Sequence, residues 1–99
     1  MQGDAATPEE PAERLAAAVS TVPGVAALHP GMFGEVGTYL PGRRVAGIRI
    51  TETAVDVHIV VVFGVAVRDT AAAVRSTVSA LHPGVAVNVT VEDVAPAAP

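Results

Sequence analysis

The chain has 99 residues, a formal net charge of −4 and no cysteine. This length predicts one small domain with a single core, and the missing cysteine excludes a disulfide framework, a cysteine-ligated zinc site and a thiol nucleophile. The acidic balance argues against broad electrostatic binding of nucleic acid. Hydrophobic residues make up 51% of the chain but aromatic residues only 3%, so the core must be aliphatic.

Both ends of the chain differ in composition from the middle. Residues 1–8 contain no basic residue, and residues 95–99 are only Ala and Pro. We expect disordered tails at 1–8 and 95–99 around a single domain at 9–94. The start lacks the cationic and apolar segments of a secretory signal, and the apolar run Ile59 to Val67 is shorter than the roughly 20 residues of a membrane span. We therefore expect a soluble protein without direct membrane insertion, or one that reaches a membrane only through a partner.

The first helix is predicted over Glu9 to Val22. Thr7 followed three residues later by Glu10, with Pro8 between them, is typical of a capping box, although Pro11 permits a start at that residue instead. Pro23 and Gly24 end the helix, and residues 24–28 indicate a short strand.

A glycine-rich segment, His29 to Arg44, is predicted to be a loop. It still carries several large apolar side chains, Met32, Phe33, Val36, Tyr39 and Leu40. A purely solvated loop would not contain so many, so we expect it to fold back on the domain or to present a contact surface.

The clearest strands are Val45 to Thr51 and Ala54 to Phe63. Apolar residues alternate in the second strand, and a tight turn at residues 52–53 would place Arg49 opposite Asp56 in a cross-strand ion pair. A one-residue slip would send the apolar side chains of the first strand to the other face. A longer turn would keep the faces and change the pairs.

The second helix is predicted over Thr70 to His82 with Asp69 as its N-cap. Pro83 and Gly84 end it, and an alternating strand follows at 85–91. The order α-β-β-β-α-β predicts an α+β domain: a four-stranded antiparallel or mixed sheet with both helices on one face.

No pattern in the sequence favours a catalytic, cofactor or metal site. Asp56 and His58 lie two apart on one strand face, which is typical of a polar sheet surface. The three histidines lack the local spacing of a zinc site, and the glycines of the loop are not followed by the lysine of a phosphate-binding loop. We therefore expect no catalytic residue, no cofactor and no metal.

A partner-binding surface is the better-supported expectation. Val60 and Val62 make part of the second sheet face apolar, and the loop adds apolar and basic side chains. The candidate partner-binding residues are Met32, Phe33, Tyr39, Arg43, Arg44, Val60 and Val62.

Several segments, taken in order, resemble one known family. Val22 to Val25 follows a helix, a loop with Gly31 ends in Gly42 to Val45, and Ile59 to Gly64 is similar to an Ile-Val-Val-Glu-Tyr-Gly strand end. With Val87 to Val91 these segments resemble the alkaline-shock, or envelope stress response, family of Gram-positive bacteria. Val62 stands where that family often has Glu and Phe63 where it has Tyr. The segment 32–41 is similar to members from actinobacteria.

The resemblance implies a non-enzymatic scaffold for cell-envelope homeostasis. Such a protein would associate with itself and dock on a small membrane-anchored partner at the inner face of the membrane, and it would not bind nucleic acid. The alternative is a small-molecule-binding regulatory module, or a small enzyme, on a ferredoxin-like sheet. That alternative has neither a Cys-x-x-Cys pair nor an acylphosphatase-type loop to support it.

Overall fold

The computed structural model describes residues 10–96. In this range the chain forms two helices and six strands, in the order α1, β1 to β5, α2, β6. Their bounds are α1 Pro11–Ser20, β1 Val25–Leu28, β2 Gly37–Leu40, β3 Arg43–Ala46, β4 Ile48–Ile50, β5 Ala54–Val62, α2 Val67–Leu81 and β6 Ala86–Ala95.

The main sheet is built around β5. β6 runs parallel to β5 along its whole length, from Ala54 opposite Ala86 to Val62 opposite Ala95. β1 and β4 are both antiparallel to β5 and pair with different parts of it, residues 59–61 and 55–57, so they share its other edge end to end. The sheet is therefore four-stranded and mixed, and the α+β fold class predicted from the sequence is confirmed.

The hairpin register is also confirmed. Ile48 lies opposite Val57, Arg49 opposite Asp56 and Ile50 opposite Val55. The Arg49 Nε and Asp56 Oδ2 atoms are 3.7 Å apart, as the tight-turn alternative required. Alternation of side chains along a strand then places Val55, Val57, Ile59 and Val61 of β5 on one face.

Both helices pack on that face and form the core with it. The helices contribute Leu15, Val19, Val74 and Val78 to an aliphatic cluster with the inward residues of β5. The largest fully buried side chains are Leu15, Val19, Ile48, Val55, Val57, Ile59, Val61, Val74 and Val78. We call the opposite side of the sheet, which carries Asp56, His58, Val60 and Val62, the outer face.

The helix starts differ from the expectations. α1 begins at Pro11, the alternative start, with Glu10 at the N-cap and no side-chain capping bond; Thr7 and Pro8 lie outside the described residues. α2 begins at Val67 rather than Thr70, with Ala66 as its N-cap. Asp69 is therefore wrong as the cap: it lies within the first turn, where a carboxylate still favours the helix dipole.

The segment predicted as a loop followed by one strand is a hairpin inserted between two sheet strands. Residues 37–40 and 43–46 pair as β2 and β3 in a separate two-stranded sheet. The predicted strand 45–51 is interrupted at Gly47, whose φ of 82° lies in a region that favours glycine. Backbone direction changes there, so β3 leaves the main sheet and β4 joins it.

Two further strand ends were predicted wrongly. β6 continues to Ala95, so at least this residue of the expected tail is ordered in the sheet; residues 97–99 lie outside the described range. Phe63 lies just beyond β5, ahead of a turn at Gly64, and is 69% exposed instead of continuing the inward stripe. No helix in the described part of the chain has the length and hydropathy to cross a bilayer.

Candidate interaction surfaces

The loop between β1 and β2 exposes two large apolar side chains. Met32 is 78% exposed and Phe33 is 87% exposed. We call these two residues the loop tip. Tyr39 on β2 is exposed to a similar degree. Three of the candidate partner-binding residues are thus open to solvent.

The loop is fixed to the sheet at both of its ends. The His29 N–H donates to the His58 carbonyl at 2.8 Å, and the Gly47 N–H donates to the Val36 carbonyl at 2.9 Å. Val36 is buried and its N–H bonds the Pro30 carbonyl at 2.8 Å. Val36 thus anchors the loop on the domain, while the loop tip stays in solvent.

Glu35 organises the turn that carries the loop tip. Its carboxylate accepts the Phe33 N–H at 3.0 Å. Backbone hydrogen bonds from its own N–H and from Phe33 hold the pKa of Glu35 below its ordinary value, and the charges of His58 and Arg49 act in the same direction. The ionised carboxylate is therefore the form that supports the turn.

Arg44 joins the loop to the hairpin. Its Nη2 donates to the Gly34 carbonyl at 2.6 Å, and its guanidinium carbon lies 5.2 Å from the centre of the Tyr39 ring. This distance is within the range of a cation–π contact. Its Nε is buried and has no hydrogen-bond partner among the described residues. Arg44 thus contributes to the surface mainly by ordering it.

Arg43 is tied to the first helix. Its Nε and Nη2 donate to the two carboxylate oxygens of Glu13 at 2.6 and 2.9 Å. This two-bond contact lowers the pKa of Glu13 and raises that of Arg43. Arg43 therefore fastens β3 to α1. Arg43 and Arg44, which we call the basic pair, are both engaged within the chain and do not form a free cationic patch.

The outer face of the sheet has a polar half around the start of β5. Asp56 accepts a hydrogen bond from Asn88 at 3.0 Å and faces Arg49. His58 Nδ1 lies 2.6 Å from Glu92 Oε2, with both side chains largely buried. His58 is paired with Glu92 rather than with Asp56.

The other half of the outer face is largely apolar, although the exposed Asp93 of β6 lies beside Val60. Val60 and Val62 are half-buried there, and Ala27 of β1 lies beside Val60. Phe63 is exposed where this strand ends. Val60 and Val62 are on the predicted face of β5, whereas the loop tip and the basic pair belong to the segment between β1 and β4.

Sequence reasoning missed two groups that shape these surfaces. Glu92 lies where the β5–β6 register shifts by one residue, and such a bulge has no signal in a regular alternation. The only local signal of Glu13 is that of a favourable charge in the first turn of α1. Its pairing with Arg43 joins residues 30 positions apart, which local patterns do not reveal.

Within residues 10–96 no group of three or more histidine, aspartate or glutamate side chains is arranged to hold a metal ion. Comparison of the chain with protein-family models, with curated proteins and with solved structures found no match. The resemblance to the envelope stress response family therefore stays a prediction.

Proposed function

We propose that this chain is a non-enzymatic scaffold of cell-envelope homeostasis, of the envelope stress response type. It associates with itself and docks on a membrane-associated protein. It works in the cytoplasm, at the inner face of the membrane when the partner holds it there.

The observation that carries the proposal is the loop tip. A solvated turn has no use for two apolar side chains with exposures of 78% and 87%. Contacts of three residues hold this turn in place. Val36 is bonded to the Pro30 carbonyl, Glu35 accepts the Phe33 N–H, and Arg44 donates to the Gly34 carbonyl. A loop ordered before it meets its partner loses less conformational entropy on binding.

The apolar half of the outer face is a second contact surface. Val60, Val62 and Phe63 leave apolar area open on a domain of this size, and such area is typical of protein contact sites. The resemblance in residues 22–94 points in the same direction, since that family is one of scaffolds.

The test is affinity capture of the tagged full chain from its native cells after separation of soluble and membrane fractions. We expect recovery from the membrane fraction with a near-stoichiometric membrane protein. The double variant Met32→Ser, Phe33→Ser should lose that partner. Its fold should be unchanged by circular dichroism, because both side chains are almost fully solvated.

Leu81→Ser is the matched control. Leu81 is 49% exposed at the end of α2, so the variant also removes an exposed apolar side chain, but away from the loop. It should retain the partner. Recovery of the wild-type chain only from the soluble fraction, alone and monomeric, would contradict the proposal and favour the small-molecule-binding alternative.

A further inference from the structure

The outer edge of β6 is open. β6 spans ten residues, and its only strand partner among the described residues is β5. By contrast, β4 on the opposite side of the sheet is partly covered, since the Thr38 hydroxyl donates to the Ile48 carbonyl at 2.6 Å. Among the described residues, β6 therefore presents the longest backbone edge without a strand partner.

The alternating backbone of β6 identifies the groups at that edge. The Ala86 N–H bonds to the Thr53 carbonyl on the β5 side. In a parallel ladder every second residue bonds to the same neighbour. Asn88 and Thr90 therefore direct their backbone groups to β5, and Val87, Val89 and Val91 direct theirs outward.

The sequence of this edge lacks the usual protection. Natural edge strands are commonly shielded by charges, prolines or bulges. Residues 86–91 contain no charge, no proline and no glycine. The bulge and both acidic residues of β6, Glu92 and Asp93, come after this stretch.

The side chains along the edge are also incompletely covered by α2. Val87, Val89 and Val91 pack against the core yet stay half-buried, and Val94 is 46% exposed. These valines therefore keep apolar area open beside the edge.

One antiparallel register between β6 and the β6 strand of a second copy pairs the open backbone groups and also matches the side chains. With Val89 opposite its own copy, Val87 lies opposite Val91 and Asn88 opposite Thr90. Valines then meet on the core side and an amide meets a hydroxyl on the outer face. About six new backbone hydrogen bonds form.

Charge selects this direction of pairing. In the antiparallel register Glu92 faces Ala86 of the other copy, whereas parallel strands in register would place Glu92 beside Glu92. Like charges directly opposite each other are destabilising. The occupant best matched to this edge is thus the same strand from a second molecule.

We infer that the chain dimerises by antiparallel pairing of β6 with β6 of a second copy, through residues 86–91, into one continuous sheet with a two-fold axis at Val89. This inference rests on the self-association in the proposed function and assigns it a surface. The loop tip stays free for the other partner.

Cysteine pairing tests the register in the full chain, which has no cysteine of its own. The Asn88→Cys and Thr90→Cys variants, mixed and oxidised, should form a mixed disulfide, because opposite residues of a non-hydrogen-bonded pair lie about 4.5 Å apart at Cα. Either variant alone should cross-link at least about tenfold less. A mixture that cross-links no faster than the exposed control Thr51→Cys would overturn the inference.

Proline tests the edge itself. Val89→Pro removes an outward N–H while leaving the β5 ladder intact, and it should weaken self-association at least about tenfold. Val89→Ala keeps the N–H and should stay within about threefold of wild type. Circular dichroism checks that both variants fold, and Val60→Lys with Val62→Lys, which charges the outer face instead, should still self-associate.

The outcomes separate the inference from the proposed function. Self-association of wild type that Val89→Pro does not weaken would overturn the β6 contact and leave the scaffold proposal standing. Loss of the membrane partner, but not of self-association, in Val89→Pro would assign the edge to that partner and overturn pairing with a second copy. A wild-type chain that never self-associates would overturn both.

Discussion

The unit β5–α2–β6 and the segment 29–47 are stabilised by different means. In the first, fully buried aliphatic side chains such as Val57 and Ile59 hold two parallel strands under a helix. In the second, a buried valine, an arginine bridge and single hydrogen bonds hold a loop and a small hairpin. The core is therefore determined by a repeated pattern of side chains, whereas the contact surface is determined by particular contacts.

The largest loss of stability is expected in the unit β5–α2–β6. Ile59→Ala should lower the free energy of unfolding by about 2–5 kcal/mol, because the fully buried side chain leaves a cavity. Val36 anchors the loop and lies outside the main cluster. Val36→Ala should therefore lower the free energy of unfolding by only about 1–2 kcal/mol. Urea unfolding at pH 7 measures both. Equal losses would show that the loop is part of the same cooperative core.

The next largest loss of stability is expected at Gly47, between β3 and β4. Gly47→Ala should cost about 2 kcal/mol or more, since φ is 82° and a Cβ would lie 2.9 Å from Leu28 Cβ and 3.0 Å from the His58 carbonyl oxygen. Gly42→Ala is the control: its φ is 75°, but no atom lies within 4 Å of an added Cβ. It should cost about 1 kcal/mol. Thermal unfolding should show the larger loss of stability in Gly47→Ala. A larger loss in Gly42→Ala would contradict the close packing around Gly47.

The two arginines of the basic pair should differ in a smaller way. Arg44→Ala removes the bond to Gly34 and the contact with Tyr39, so it should cost about 1–2 kcal/mol. It should also speed amide hydrogen exchange in residues 31–37. Arg43→Ala breaks a solvent-exposed pair with Glu13 and should lower the free energy of unfolding much less than Arg44→Ala does. Unchanged exchange in Arg44→Ala would show that the loop is ordered without the bridge.

The smallest effect concerns pH. The folded-state pKa values of Glu13 and Glu35 are lowered, Glu13 mainly by its bond to Arg43 and Glu35 mainly by backbone hydrogen bonds. A depressed carboxyl pKa stabilises the folded state above the unfolded value, near 4.5, and that stabilisation is lost as pH falls through the folded value. Denaturant titrations between pH 7 and pH 3 should therefore show falling stability. Glu13→Gln and Glu35→Gln should each flatten the curve, and curves parallel to wild type would contradict both contacts.

Sequence reasoning succeeded where the structure is periodic. The alternation in Ala54–Val62 and the opposite charges of Arg49 and Asp56 were enough to predict the hairpin register. The spacing of Ala71, Val74, Val78 and Leu81 likewise predicts an inward stripe on α2. Val74 and Val78 are fully buried, whereas Leu81 at the helix end is 49% exposed.

It failed where single long-range contacts decide. Nothing local in Gly37–Leu40 indicates that it pairs with Arg43–Ala46, because the two strands are short and lie among glycines. Met32 and Phe33 were singled out as too apolar for a purely solvated loop, and the structure exposes both to solvent. Arg43 and Arg44 were predicted to bind a partner, but their contacts within the chain were not predicted. Glu13 and Gly34 lie 30 and 10 positions away from them, so no local pattern indicates these contacts.

Sedimentation velocity of the full wild-type chain, from low to high micromolar concentration at pH 7, tests the scaffold claim most directly. Self-association should give a sedimentation coefficient that rises with concentration. A single monomeric species across the whole range would contradict it.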